Sequence, residues 1–342
     1  MFRVVIKNAD ASQEWEVPSL SWDFTEEVNK DRSATFNFDK LALDKVAEYY
    51  AQDAEFIVTG AYREIYLYDD TTLLYSGYIS EVSFDGKEGQ AGTVKVSSKG
   101  FFQLLDKRFT DALRYYANDD SADIAWDLID YTQTLTYGDF GITRGTHPVT
   151  KDRQRTFRYD NIKQAIEKMS ANEVKEGFDF EVDNQKIFNI YYPEKGSERR
   201  DIILEEGFNI NSYTVKKTFI NAMANQVIVL GAGQDEEALV ETRDAEAVYK
   251  ENFFLLQARL SEKDIIESAT LQDKGDKYLD VYKYPRKEVT ISLNYQNPTF
   301  TDYSVGDRLP LVIPSYDINQ LYRLYKRTLK SDMTVTNYFT SV

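Results

Sequence analysis

The chain has 342 residues, 42% hydrophobic and 29% charged, a globular composition with material for about two domains that excludes a disordered chain and a polytopic membrane protein. With no cysteine and a single histidine, it has no disulfides, thiolate nucleophiles, cysteine zinc sites or paired-histidine metal motifs. Its 57 acidic against 41 basic residues give a net charge of -16, the wrong sign for gripping a phosphate backbone. In chain order, Met1 to Lys7 already reads as a strand and is too short for a signal segment, and no later run approaches the roughly 18 apolar residues that span a bilayer. The chain is therefore expected to be made and assembled in a cytoplasm.

The 25 Tyr and 20 Phe, without a glycine repeat, favour pleated, half-buried strands. Within the first hundred residues, Thr35 to Phe38, Glu64 to Tyr68, Gly77 to Phe84 and Thr93 to Val96 are β-branched and aromatic, with an Asp85-Gly86 turn signal between the last two. They predict a small barrel or sandwich, interrupted by a helix in which Leu41, Leu43, Val46, Ala47 and Tyr50 follow the cap Asp39. The period then changes. Asp120 and Ser121 precede a helical stripe of Ala122, Ile124, Ala125, Leu128 and Ile129, and Asp160 is the predicted cap of Ile162, Ala165, Ile166 and Met169, with Gly177 available as a stop. Phe178 to Val182 and Ile187 to Tyr191 predict a hairpin around Asp183-Asn184.

Turn-rich Pro193 to Arg200 is the best boundary, after which strands resume at Ile202 to Leu204, Asn209 to Val215 and Gln226 to Leu230. Asp235 to about Lys283 is strongly acidic and reads as a helical insertion, its second half opening with Ser261-x-x-Asp264 before Ile265, Ile266 and Ala269. Strands return at Glu288 to Leu293, Arg308 to Ile313 and Leu321 to Leu329, with a turn at Val305-Gly306-Asp307. The predicted class is α+β, mainly β, with two small β-barrel domains at 1–105 and at 200–235 with 285–342. An α+β domain at 106–199 lies between them, and an acidic helical insertion at 236–284 interrupts the second barrel.

No motif carries chemistry well. Val227 to Leu230 running into Gly231-Ala232-Gly233 begins like a dinucleotide fingerprint, but the third glycine position holds Glu236, flanked by Asp235 and Glu237, whose charge repels phosphate; a structural turn is expected. No P-loop sequence exists. Carboxylate pairs such as Asp179/Glu181 and Glu205/Glu206 would serve a glycosidase, yet with so many acids such pairs arise by chance and read as solvated surface. His147, in Thr146-His147-Pro148, reads as an exposed loop residue and the only position open to a triad. Lys151, Arg153, Arg155 and Arg158, with Phe157 among them, suit either an edge strand protected by charge, including an intersubunit salt-bridge surface, or a track for phosphates or an anionic glycan; the edge strand is favoured. Tyr49-Tyr50, Tyr115-Tyr116, Tyr191-Tyr192, Tyr322 and Tyr325 suit a sugar-stacking platform or, more commonly, interface and barrel positions. No residue is assigned as catalytic, cofactor-binding or metal-ligating, and no cofactor is expected.

The order of parts resembles a known design. A β-barrel, an α+β block, a second barrel opening with Asn221 to Gly233, an acidic insertion and a return through Tyr303 to Leu309 look like the baseplate-hub family of tailed bacteriophages. That family includes the N-terminal part of tail-associated lysins and the hubs of contractile injection systems. Asp123 to Ile129, Gly177 to Val182 and Gly306-Asp307 fall where such proteins carry related patterns. The resemblance implies a homotrimeric ring with two tube-type barrels per subunit, joining a sixfold tail tube to a threefold tip in the virion. Its partners would be the tail tube and distal tail ring, the tape-measure protein and a central spike or fibre, with DNA passing through without stable binding. Relatives that digest cell wall carry the enzyme as an added C-terminal domain, whereas this chain ends at Val342 soon after the second barrel, so no intrinsic enzymatic activity is expected. A net charge of -16 per copy suits an acidic, non-stick lumen. The competing readings are a tail-tip receptor or glycan-binding module and a carboxylate-dependent cell-wall glycosidase.

Overall fold

Every second residue from Trp22 to Glu26 and from Ala34 to Phe38 is buried, the period-two pattern that lays one face of a sheet on a core. The structure is a computed structural model and describes residues 1–8, 11–60, 62–86, 88, 92–111, 113–170, 177–233, 237–263 and 265–341. The first block contributes β1 (Phe2–Asn8), β2 (Glu14–Glu16), β3 (Ser19–Glu27), β4 (Ser33–Asp39), β5 (Arg63–Asp69), β6 (Thr72–Asp85) and β7 (Thr93–Lys99). Between β4 and β5 lie α1 (Lys40–Tyr49) and α2 (Ala54–Thr59). Asp39 caps α1 as expected, accepting from the Ala42 amide at 3.1 Å.

The middle block runs β8 (Arg114–Asp120), α3 (Ser121–Thr134), β9 (Thr143–Arg144), β10 (Asp152–Phe157), α4 (Ile162–Ser170), β11 (Asp179–Val182) and β12 (Ile187–Tyr191). Asp120 caps α3, with the Ala122 amide 2.9 Å away. At α4 the expected cap is corrected: Asn161 accepts from the Gln164 amide at 3.0 Å, while the Asp160 carboxylate accepts from the Arg158 amide instead. The reason is tertiary, since Asp160 is tied through its own backbone to Thr110 on a neighbouring segment. The expected Gly177 stop follows residues 171–176, outside the described residues. The hairpin forms as predicted around Asp183, whose side chain accepts from the Gln185 and Ile187 amides. Phe101, Phe102, Phe178, Phe180 and Phe188 fill the core of this block beneath α3 and α4.

The last third contributes β13 (Leu204–Glu205), β14 (Ser212–Thr218), β15 (Gln226–Leu230), β16 (Val240–Asp244), α5 (Ala247–Phe253), β17 (Gln257–Ser261), α6 (Ser268–Tyr282), β18 (Arg286–Asn294), β19 (Arg308–Ile313), β20 (Ile318–Lys330) and β21 (Thr334–Ser341). The first and last blocks join in one 13-stranded sheet, β14-β18-β21-β20-β3-β4-β7-β6-β5-β1-β2, with β19 and β13 branching from β20. The seam is antiparallel, from Lys326↔Glu27 to Lys330↔Asp23. It exists because β20 is 13 residues long: its first half pairs with β19 and its last five residues with β3, while β21 occupies the other edge. One apolar core spans both blocks. Among the described residues no strand pairing closes either half into a barrel.

The insertion differs from its sequence reading. β15, expected within the second barrel, pairs antiparallel with β16 and parallel with β17, and α6 packs on β15 and β16, its Leu271 and Leu279 joining Val227 and Val229 in one small core. It is thus an α/β unit with its own small core rather than purely helical. Ser261 ends β17, α6 starts only at Ser268, and Asp264 of the expected capping box lies outside the described residues. Among the described residues no helix is long and apolar enough to cross a membrane.

Candidate functional site

The densest polar constellation lies at the β20–β3 seam, where the middle block's hairpin meets both halves of the sheet. Asp179, expected at a solvated surface, is instead fully buried. It accepts from Asn29 Nδ2 at 2.8 Å, from the Lys195 amide at 2.6 Å and from Arg323. Asn29, in the β3–β4 turn, also accepts from the Phe180 amide at 2.8 Å, so one side chain fixes both the backbone and the acid of β11. Two residues on, Glu181 accepts from Lys195 Nζ at 2.6 Å and the Tyr191 hydroxyl at 2.6 Å, and pairs with Arg32 at 3.3 Å. Glu26 pairs with Arg327 at 2.7 Å and Arg32 at 3.3 Å. Burial by itself raises the Glu26 pKa, yet Arg327 and Arg32 bring it down to about 2, so it is ionised. Burial likewise opposes ionisation of Glu181, and Lys195 and Arg32 outweigh it. Asn184 completes the joint, accepting from Arg32 at 2.7 Å and from the Ser76 amide at 3.0 Å.

These carboxylates are held by cations, by the Lys195 amide and by the Tyr191 hydroxyl, an arrangement suited to tying three segments together. The correction for the Asp179/Glu181 pair has a clear origin: the partners that bury it, Arg32 and Arg323, lie far away in the chain. Sequence reasoning also passed over Arg32, Arg323, Arg327 and Glu26. One signal was present, since Glu26 falls on the inward register of Trp22 and Phe24, where a charge must be paired. Glu205 is exposed, and Glu206 accepts from the Tyr213 hydroxyl and Ser315.

Asp31, beside this network in the β3–β4 turn, faces the short helical turn Phe101–Lys107. Burial pushes its pKa up to about 7 against the pull of Lys163, the Gln103 amide, Lys99 and Arg32, and its Oδ2 has no hydrogen-bond partner.

His147 is half-buried rather than loop-exposed, packed on Phe188. Its Nε2 stands 2.7 Å from the Ala122 carbonyl oxygen, which can only accept, so Nε2 carries the proton. Nδ1 is buried without a partner, neither a serine nor a carboxylate, and burial lowers the ring's pKa. Gly233 adopts φ 108°, and a Cβ there would stand 2.5 Å from the Glu237 carbonyl oxygen. The chain turns there from β15 toward antiparallel β16, a hairpin connection and not the strand-to-helix crossover of a dinucleotide site; Asp235 and Glu236 lie outside the described residues. Among the described residues β10 pairs only with β8, as an edge strand would, but Arg155 and Phe157 are buried, so the cations form no exposed row. The tyrosines are dispersed: Tyr49 and Tyr50 are exposed at the end of α1, Tyr115 is exposed on β8, Tyr191 serves the seam, and Tyr322 is in the core.

No protein-family model matches the chain, and no curated protein matches it in sequence. Solved structures do share its fold over its whole length. The 43 kDa tail protein of prophage MuSo2 from Shewanella oneidensis is 8% identical, with a TM-score of 0.72 over 100% of this chain and 98% of that one. Prophage tail protein gp18 from Listeria monocytogenes EGD-e is 8% identical, with a TM-score of 0.63 over 99% and 94%. The E. coli c3393 protein, a type VI secretion system component described as similar to the T4 tail proteins gp27 and gp5, is 11% identical, with a TM-score of 0.54 over 100% and 76%. The chain therefore has the fold of phage tail proteins, and of a component of a related secretion machine.

Proposed function

We propose that the chain is a structural hub of a phage tail tip or baseplate. Three copies form a ring, each half of the large sheet acting as one tube-type unit, so that six similar units face a sixfold tail tube and three subunits face the tip. The tail tube, distal tail ring, tape-measure protein and a central spike or fibre are its partners in the virion, and DNA passes through an acidic lumen without being held. The protein itself catalyses nothing. The observation that carries this reading is the whole-chain fold correspondence with tail proteins, nearly complete in both directions. The seam supports it, because a conduit under load needs its two halves coupled, and here they share one sheet and one core. Mass photometry and negative-stain electron microscopy of the purified chain test it: a three-copy ring with an open centre is expected, and a monomer at every concentration refutes it.

A further inference from the structure

The chain changes core at two points. Buried apolar side chains of the first and last blocks share one core, while those from Phe101 to Ile190 form a second, and among the described residues the two have no member in common. The crossings are Gly100 and the stretch between Tyr192 and Ile202, where Gly196 takes φ 96°. What joins the two bodies is polar. Asn29, Lys30, Asp31 and Arg32, consecutive in the β3–β4 turn, each reach the middle block. Asn29 holds β11, Lys30 Nζ stands 3.3 Å from Glu167 of α4, and Arg32 bonds Asn184 and Glu181. From the sheet, Glu64 accepts from Lys186 at 2.7 Å and the Ser76 amide donates to Asn184 at 3.0 Å. Such a joint trades its bonds for bonds to water when it parts, and its ions regain their hydration, so it opens at lower cost than either apolar core.

Asp31 sits on the entry crossing. Its Oδ1 lies 2.6 Å from where a Cβ on Gly100 would stand, so the chain passes from one core to the other against this carboxylate. The Gln103 amide, in the helical turn that opens the middle block, bonds it, and Oδ2 is buried without a partner. Lys163 on α4, Lys99 on β7, Arg32 beside it and the Tyr75 and Tyr78 hydroxyls on β6 face it. Lys163 is shared with Gln103 Oε1 at 2.9 Å and Glu167 at 3.8 Å, and the Tyr75 hydroxyl is engaged by Ser98 at 2.9 Å. Burial therefore outweighs the cations and pushes the carboxyl up to about 7. Gln103 and Lys163 belong to the middle block, so the part of that burial which they supply ends when the block moves away.

We propose that the middle block is a hinged body, pivoting at its exit beside Gly196 while the β3–β4 turn lets go, and that Asp31 is the release: its proton favours the latched state and its charge the open one. The exit stays tied, because the Lys195 amide and Arg323 both hold Asp179 there. As a gate in a tail tip the motion would rest on the proposed function; the hinge itself rests on the two cores and the polar joint.

Residue-resolved amide exchange, corrected for intrinsic rates, tests it, because the Phe180 and Ser76 amides each donate to a side chain across the joint. Both are expected to exchange faster than the interior amides of α3, α4 and β4. Between pH 5 and pH 8 their protection should fall by up to about eighty-fold in the parent and stay level in Asp31→Asn. A short bis-maleimide linker between Lys30→Cys and Glu167→Cys, specific in a chain without cysteine, should abolish the fall. Equal protection of joint and interior amides means that the block leaves only when the whole fold opens. Exchange of α3 and α4 together with the joint means that it melts instead of swinging. Either result, or unchanged exchange in the linked chain, overturns the hinge. A fall that persists in Asp31→Asn overturns the release.

Discussion

Replacing Asp31 with asparagine should flatten the protein's loss of stability with rising pH. Burial lifts the Asp31 pKa from 3.8 to about 7, so the fold resists its ionisation while the unfolded chain does not. The folded pKa lies above the unfolded one in an acid, so stability falls as pH climbs through 3.8 and levels off above 7. The full span of about three units corresponds to about 4 kcal/mol, of which roughly 2.5 kcal/mol falls between pH 5 and pH 8. Oδ2 is buried without a partner, although Asp31 as a whole keeps some exposure, so these figures are upper values. Asparagine keeps an acceptor for the Gln103 amide and removes the charge, and any fixed cost of its unpartnered amide is the same at both pH values. Urea denaturation of parent and Asp31→Asn at pH 5 and pH 8, followed by tryptophan fluorescence, gives the difference of differences directly. The variant should gain roughly 2–3 kcal/mol relative to parent on going from pH 5 to pH 8. Parallel pH profiles for the two proteins would refute the buried, costly carboxylate.

Two further predictions concern the seam. Arg327→Met should destabilise by about 2–3 kcal/mol at pH 7, because it leaves the buried Glu26 carboxylate with Arg32 as its one cationic partner and empties the Arg327 bonds to the Phe300 and Tyr303 carbonyls, and the loss should shrink toward pH 4, where that acid can take a proton; thermal melts at the two pH values check it. Asn29→Ala removes the acceptor of the Phe180 amide and a donor to Asp179, so a loss of about 2–4 kcal/mol is expected, read by denaturant midpoint, with amide exchange of Phe180 accelerated selectively.

The elements written locally were legible. Asp39 and Asp120 cap the helices expected of them, and the Asp183-Asn184 turn needs nothing beyond its own residues. What depends on distant partners was not. The β20–β3 seam joins residues some 300 positions apart, and alternation fixes which face of each strand is buried without saying which strand lies beside it. The same holds for β15, whose Val227 and Val229 alternate identically whichever sheet receives them. Asp179 and Glu181 resemble surface acids in an acidic chain until Arg323 and Arg32 arrive from other blocks. Asp160 and Asn161 are equally good caps in isolation, and the pairing with Thr110 decides between them.

The register of β14 and β18 ends with Thr218 opposite Arg286, and everything between these two residues leaves and re-enters the large sheet at that one rung. Topologically the whole intervening segment is the loop of a β-hairpin. Paired residues on adjacent strands stand only about 5 Å apart, a gap that a two-residue turn closes. The segment is therefore a cassette: it can be shortened, exchanged or replaced by a foreign domain without altering the order of strands on either side of it. Any segment whose two ends meet at that spacing can stand at this rung without disturbing the sheet.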